Sequence, residues 1–141
     1  MALHGGAWRV HASAVDDVEL IADSIKWLCG GDEGIMVKRG KSALGAPMYT
    51  IECKMKARIA MHSLERINSE SLSSMLDFGL ASQIDNDKIL HIRIDLDSLV
   101  RGEAIVVRNN LGPVAKGRFK LEVYPGQDPA SVAERLIEKL V

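Results

Sequence analysis

The sequence is poor in cysteine, in aromatic side chains and in long apolar runs, and each shortage closes a class of answers. Its two cysteines, Cys29 and Cys53, lie far apart and fit no CxxC spacing. The four histidines, His4, His11, His62 and His91, are equally scattered, so no metal site and no cofactor are expected. Aromatic residues make up 4% of the chain, too few for rows of base-stacking rings, and most of the six are expected inside. No apolar run approaches the roughly 18 residues of a membrane span, and the N-terminus shows no basic-then-apolar signal pattern. No membrane partner and a cytoplasmic setting are therefore expected.

What is present is ordinary in amount and uneven in arrangement. The 141 residues are 47% hydrophobic and 26% charged, with a formal net charge of −1. That suits one globular domain. Residues 1–6, with His4-Gly5-Gly6, are expected to be a flexible N-terminus, and 7–141 a single α+β domain. Near-neutrality hides a strong polarity. From Asp16 to Glu33 six acids face one base, Lys26, whereas from Gly34 to Arg58 six bases face one acid, Glu52. Capping and a solvated helix face account for the acids.

Periodicity supplies the elements. Ala7–Val15 alternates as a half-buried strand, and Asp16-Asp17 stand where a helix cap and first-turn acids belong. Val18, Ile21, Ala22, Ile25, Leu28 and Cys29 follow at helical spacing until Gly30-Gly31. Gly34–Lys38 and Met48–Lys56 read as two strands joined by a flexible basic loop, Arg39–Pro47, forming a projecting hairpin. Helices are expected over Ala57–Ile67 and from Ser69 through Gly79 to Ala81. A turn at Asp85-Asn86-Asp87 leads to the alternating strand Leu90–Leu96. A helical turn or tight loop at Asp97–Gly102, strands at Glu103–Arg108 and Gly117–Tyr124, and a turn at Asn109–Pro113 follow. The last element is a helix capped by Asp128 with Pro129 at its first position. Hairpin-length links make this a largely antiparallel sheet with helices packed on one face.

Catalytic constellations are weak. Gly40-Lys41-Ser42 looks like the end of a phosphate-binding loop, but five residues, not four, separate Gly34 from Gly40. A strand follows where the mechanism needs a helix. No Gly-x-Ser-x-Gly surrounds any serine, and Asp95 and Asp97 fit a strand end and helix cap. No enzyme is expected. The bases remain. Lys38, Arg39 and Lys41 on the hairpin loop, with Lys54, Lys56 and Arg58, and Arg118 and Lys120 from the acid-free stretch Ala104–Leu121, are the candidate RNA-binding residues. Strand parity puts Arg118, Lys120, Lys54, Lys56, Arg93, His91, Arg9 and His11 outward, and a positive face results if those strands are neighbours. A solvated face of mixed charge accounts for the same residues.

The layout resembles a known family. The opening strand with His11 precedes an acidic helix, and a loop ending Gly45-Ala46-Pro47 stands before the Glu52 strand. Asp85-Asn86-Asp87 precedes the Leu90–Asp95 strand, and a Pro-Gly break leads to Asp128-Pro129 and the last helix. In these features the chain, from about Trp8 to its end, resembles the archaeal predicted exosome-associated RNA-binding proteins. Their fold is similar to that of the large-subunit ribosomal protein that contacts the smallest ribosomal RNA. Where that family carries histidine or other polar residues before Gly-x-Pro, this chain has Lys41-Ser42-Ala43-Leu44. The resemblance implies RNA binding, an archaeal cytosolic setting and a link to RNA processing or ribosome maturation, with no catalytic residues to carry over. Two readings follow: a non-catalytic protein binding structured or double-stranded RNA by phosphate and shape, and a protein-interaction or homodimeric adaptor subunit without nucleic-acid contact.

Overall fold

The computed structural model describes residues 2–13, 16–31, 34–41, 43–108 and 112–141. Parts of the expected first strand (Ala14, Val15), acidic stretch (Asp32, Glu33), hairpin loop (Ser42) and Asn109–Pro113 turn lie outside them. The elements are β1 (Leu3–Ser13), α1 (Val18–Cys29), β2 (Ile35–Lys41), β3 (Pro47–Lys56), α2 (Ala57–Glu65) and α3 (Ser69–Phe78). They continue with β4 (Ile89–Asp95), α4 (Leu96–Val100), β5 (Val114–Leu121) and α5 (Pro129–Glu138). The strands form one antiparallel sheet in the order β2-β3-β1-β5-β4. The expected α+β class is the one observed.

Alternation along the strands assigns the two faces. Trp8, Val10 and Ala12 of β1, Ile51, Cys53 and Met55 of β3, Leu90, Ile92 and Ile94 of β4, and Ala115, Phe119 and Leu121 of β5 are buried. The helices close over that face with Ile25, Leu28, Leu64, Leu72, Leu136 and Ile137, among others. Among the described residues, the opposite face of the sheet carries no helix.

Glycine makes the centre of this core possible. Trp8 stands opposite Gly117 and Phe119 opposite Gly6 across the β1–β5 ladder. The two rings meet edge to face, 5.4 Å apart at 78°. A Cβ at Gly117 would lie 2.6 Å from Trp8, and one at Gly6 would lie 2.7 Å from Phe119. Each ring thus packs over a bare strand position, which explains buried glycines in strand interiors. The strand consequently starts earlier than expected. Leu3 is buried and Gly5 and Gly6 pair with both β3 and β5, so residues 3–6 belong to the sheet rather than to a loose tail.

Local chemistry sets the helix ends. Asp17 accepts a hydrogen bond from the Leu20 amide, and Gly30 closes α1 at φ 85°. Asn68 caps α3, accepting from the Glu70 and Ser71 amides. Gly79, expected inside that helix, ends it at φ 87°, and a 3-10 turn over Ala81–Gln83 follows. The expected strand at Glu103–Arg108 does not form a full ladder. It lies along β4 through the Ile94–Val106 bridge and through hydrogen bonds from the Asp95 and Val107 amides. Ser71 holds it from the other side by accepting the Val106 amide at 3.1 Å. The β4 edge is thereby covered, whereas among the described residues β2 pairs with a strand on one side alone.

Candidate nucleic-acid interface

Register converts four rows of alternating residues into one surface. On the face without helices, Arg9 is opposite Glu52 on β3 and Lys116 on β5, and Ala7 is opposite Lys54 and Arg118. His91 and Arg93 of β4 are opposite Arg118 and Lys116. Lys56 and Lys120 flank Gly5 from either side, and Lys38 of β2 extends the surface opposite Thr50. The middle of this face is a shallow depression lined by Ala7, Arg9, His11, Glu52, Lys54, His91, Arg93, Lys116 and Arg118. No Phe, Tyr or Trp lies in that lining.

Glu52 and Asp95 interrupt the surface, with Asp85 against His91 and Glu122 beyond Lys120 at its margin, and each is committed. Glu52 Oε2 accepts hydrogen bonds from Arg9 Nε at 2.8 Å and Nη2 at 2.6 Å, and Lys54 Nζ is 3.9 Å from its other oxygen. The Arg9 hydrogen bond, with the charges of Arg9, Lys54 and Lys38, holds the Glu52 carboxyl below the usual carboxylate range. Asp95 caps α4, accepting from the Ser98 amide at 3.1 Å and from its hydroxyl at 2.6 Å. Among the described residues, Lys116 and Arg118 form no ion pair. Lys120 donates to the Asp87 carbonyl, which fixes it at the foot of the face. His11 lies 3.2 Å from Thr50 Oγ1, and His91 is 2.7 Å from Asp85.

The eight candidate residues divide. Lys38, Lys54, Lys56, Arg118 and Lys120 share the open face. Arg39 and Lys41 do not lie on a loop: β2 runs on to Lys41, and the pleat turns both to the other side of the hairpin. Arg58 is exposed on α2, within the helix layer. The open face adds Arg9, Arg93 and Lys116, whose i, i+2 spacing within β1, β4 and β5 was readable. Their convergence depends on β1 lying between β3 and β5. The hairpin does project, with β2 exposed from Met36 to Lys41. The acids of α1 that the structure describes, Glu19 and Asp23, belong to the helix layer, whereas the bases of the following stretch are split, with Lys38, Lys54 and Lys56 on the open face and Arg39, Lys41 and Arg58 off it.

Fewer rings are inside than the expected majority. Trp8 and Phe119 are fully buried, whereas Trp27, Phe78 and Tyr124 are exposed. Cys29 and Cys53 are buried, as their positions at a helix end and inward on a strand implied. Among the described residues no group of histidine, cysteine or acidic side chains is arranged to hold a metal, and no helix is long and apolar enough to cross a membrane.

Solved structures share this architecture from end to end. A DUF54 protein from Methanothermobacter thermautotrophicus superposes with a TM-score of 0.78 at 18% identity, over 99% of this chain and 98% of that one. A DUF54 protein from Archaeglobus fulgidus gives 0.75 at 21%, over 99% of both chains. A UPF0201 protein from Methanococcus jannaschii is more distant, at 0.60 and 10%, over 94% and 92%. The fold is one that archaeal proteins use. No family model and no curated protein matches the sequence.

Proposed function

We infer that the protein is a non-catalytic RNA-binding protein that holds the phosphate backbone of structured or double-stranded RNA against the open face of its sheet. One observation carries this reading. Four adjacent strands place Lys54, Lys56, Arg9, Lys116, Arg118, Lys120 and Arg93 on a surface that carries no helix among the described residues, where Glu52, Asp95, Asp85 and Glu122 already have partners. Five strands at about 4.8 Å spacing make a platform about 20 Å across, wide enough to meet several phosphates at once. The lack of large rings in its central depression favours backbone contact over stacking there. Lys38 extends the surface along the hairpin. Arg39, Lys41 and Arg58 lie off that face and take no part in the contact. The resemblance to exosome-associated RNA-binding proteins supports a cytoplasmic accessory role in RNA processing or ribosome maturation.

The test is an RNA-binding titration of the triple variant Lys54→Gln, Lys116→Gln, Arg118→Gln. Loss of affinity with a flatter salt dependence supports the open face, and unchanged binding removes it.

A second reading, a homodimer or adaptor subunit, draws on β2. That edge strand has one free side and exposes Met36 and Val37, with Leu44 97% exposed beyond it. Lys38, Arg39 and Lys41 charge the same edge and oppose pairing with a second copy. Sedimentation at low and high salt separates the readings: a monomer under both conditions removes the dimer.

A further inference from the structure

A fold that buries Trp8 and Phe119 completely leaves Phe78 70% exposed, at the last position of α3. The ring is not unattended. The Arg108 guanidinium carbon stands 3.1 Å from its centroid, and Arg108 Nη2 donates to the Ser74 carbonyl at 3.3 Å. One face of Phe78 is thus covered by a cation anchored to the same helix, and the ring is otherwise open to solvent.

The position of the pair gives it meaning. Beside it, between α3, the 3-10 turn and the covered edge of β4, lies a cleft lined in part by Met75, Gln83, His91, Arg93 and Arg108. His91 and Arg93 line the basic depression as well. They are shared by the basic face and by the cleft that Arg108 also lines. Arg93 Nε is buried here with no hydrogen-bond partner among the described residues. The cleft interior holds about 20 Å³, room for one water and not for a base. A base at this place must lie on the ring rather than in the cleft.

Resting on the RNA-binding reading, we propose that Phe78 and Arg108 form a stacking platform for one unpaired nucleobase, where RNA held on the basic face passes the β4 edge. A base lies on the open side of the Phe78 ring, and its flanking phosphate faces Arg93 and His91. Every base has a π-face, so the platform selects an unpaired nucleotide next to structured RNA and not a sequence. It therefore favours a duplex with a single-stranded end or a loop over a continuous duplex.

The experiment compares binding of one RNA duplex in three forms: blunt, with a three-nucleotide 3′ overhang, and with the same overhang made abasic. The abasic form keeps the added phosphates and removes the bases. Wild-type protein is expected to bind the base-carrying overhang about tenfold more tightly than the abasic one, the scale of one base–aromatic stack. Phe78→Ala abolishes that difference, Phe78→Tyr keeps it, and neither changes the affinity or salt slope for the blunt duplex. Matching melting curves show that the exposed substitution leaves the fold intact. Equal wild-type binding to the two overhangs, with tight binding to all three RNAs, overturns the platform and leaves the basic face standing. Preference that survives Phe78→Ala also overturns it. Failure to bind any of the three removes the RNA-binding reading and the platform with it.

Discussion

Arg9 and Glu52 face each other across the β1–β3 ladder, with two guanidinium nitrogens donating to a single carboxylate oxygen at 2.8 and 2.6 Å. The pair sits in the middle of the basic face, and on the proposed RNA-binding reading Glu52 holds Arg9 back from phosphate. Glu52→Gln keeps the shape and releases the charge. RNA affinity is expected to rise by about three- to tenfold at low salt, with a salt slope steeper by about one counterion. A filter-binding titration of wild type and variant reads both quantities.

The same carboxylate makes stability pH-dependent in a defined direction. Its folded pKa lies below the ordinary value of 4.5, so the unfolded state takes up a proton first as pH falls. The contribution is complete above pH 4.5 and disappears as the pH drops through the folded value. Urea unfolding between pH 7 and 3 is expected to show a smaller acid loss for Glu52→Gln than for wild type. An equal loss would place the acid sensitivity elsewhere.

Inside the core, Trp8 Nε1 donates to Ser63 Oγ at 2.7 Å, joining β1 to α2 where both residues are fully buried. Ser63→Ala leaves the indole N–H without a partner and is expected to cost about 1–3 kcal/mol. Urea denaturation followed by tryptophan fluorescence measures it, and a change below 0.5 kcal/mol, in order of magnitude, would contradict a dry, unsatisfied indole.

Gly117→Ala tests the packing of the central rings. The added methyl would lie 2.6 Å from Trp8 and 2.9 Å from Phe119, both fixed in the core, so the sheet must shift. Overpacking of this kind is expected to lower stability by about 1–3 kcal/mol, whereas Gly112→Ala, with nothing within 4 Å, changes it little. Thermal melts of the two variants give the comparison.

Much of this fold is legible in the sequence because its strands alternate cleanly and its helix caps are chemically explicit. Asp17 and Asp128 cap where their spacing says they should, and Gly30 stops α1, whereas Asp95, expected as the strand end, takes the cap expected of Asp97. The misses have physical reasons. Gly5 and Gly6 look like a tail because nothing local shows that Phe119 packs over one of them. Gly79 looks like a weak point inside a helix because its positive φ is invisible in a pattern of apolar residues. Glu103–Arg108 alternates like a strand, yet tertiary contacts with Ser71 and β4 decide its irregular path. The candidate site was half legible. Parity put Lys54, Lys56, Arg118 and Lys120 outward, but the crossover that sets β1 between β3 and β5 is a long-range fact. That crossover alone brings Arg9, Lys116 and Arg93 together. Arg39 and Lys41 were read as a loop tip because Gly40 looks like a break, and the ladder to Tyr49 and Pro47 runs past it.

The most direct test of the account is a paired salt titration of binding to one structured RNA. The first variant carries Lys54→Gln, Lys116→Gln and Arg118→Gln on the open face, and the second carries Arg39→Gln, Lys41→Gln and Arg58→Gln away from it. Both lose the same formal charge, so a general charge effect cannot distinguish them. The account predicts that the first flattens the log–log slope by about three counterions and weakens binding at least tenfold, while the second changes the slope by less than about one. Equal effects of the two variants, or a larger effect of the second, would contradict the open sheet face as the binding surface.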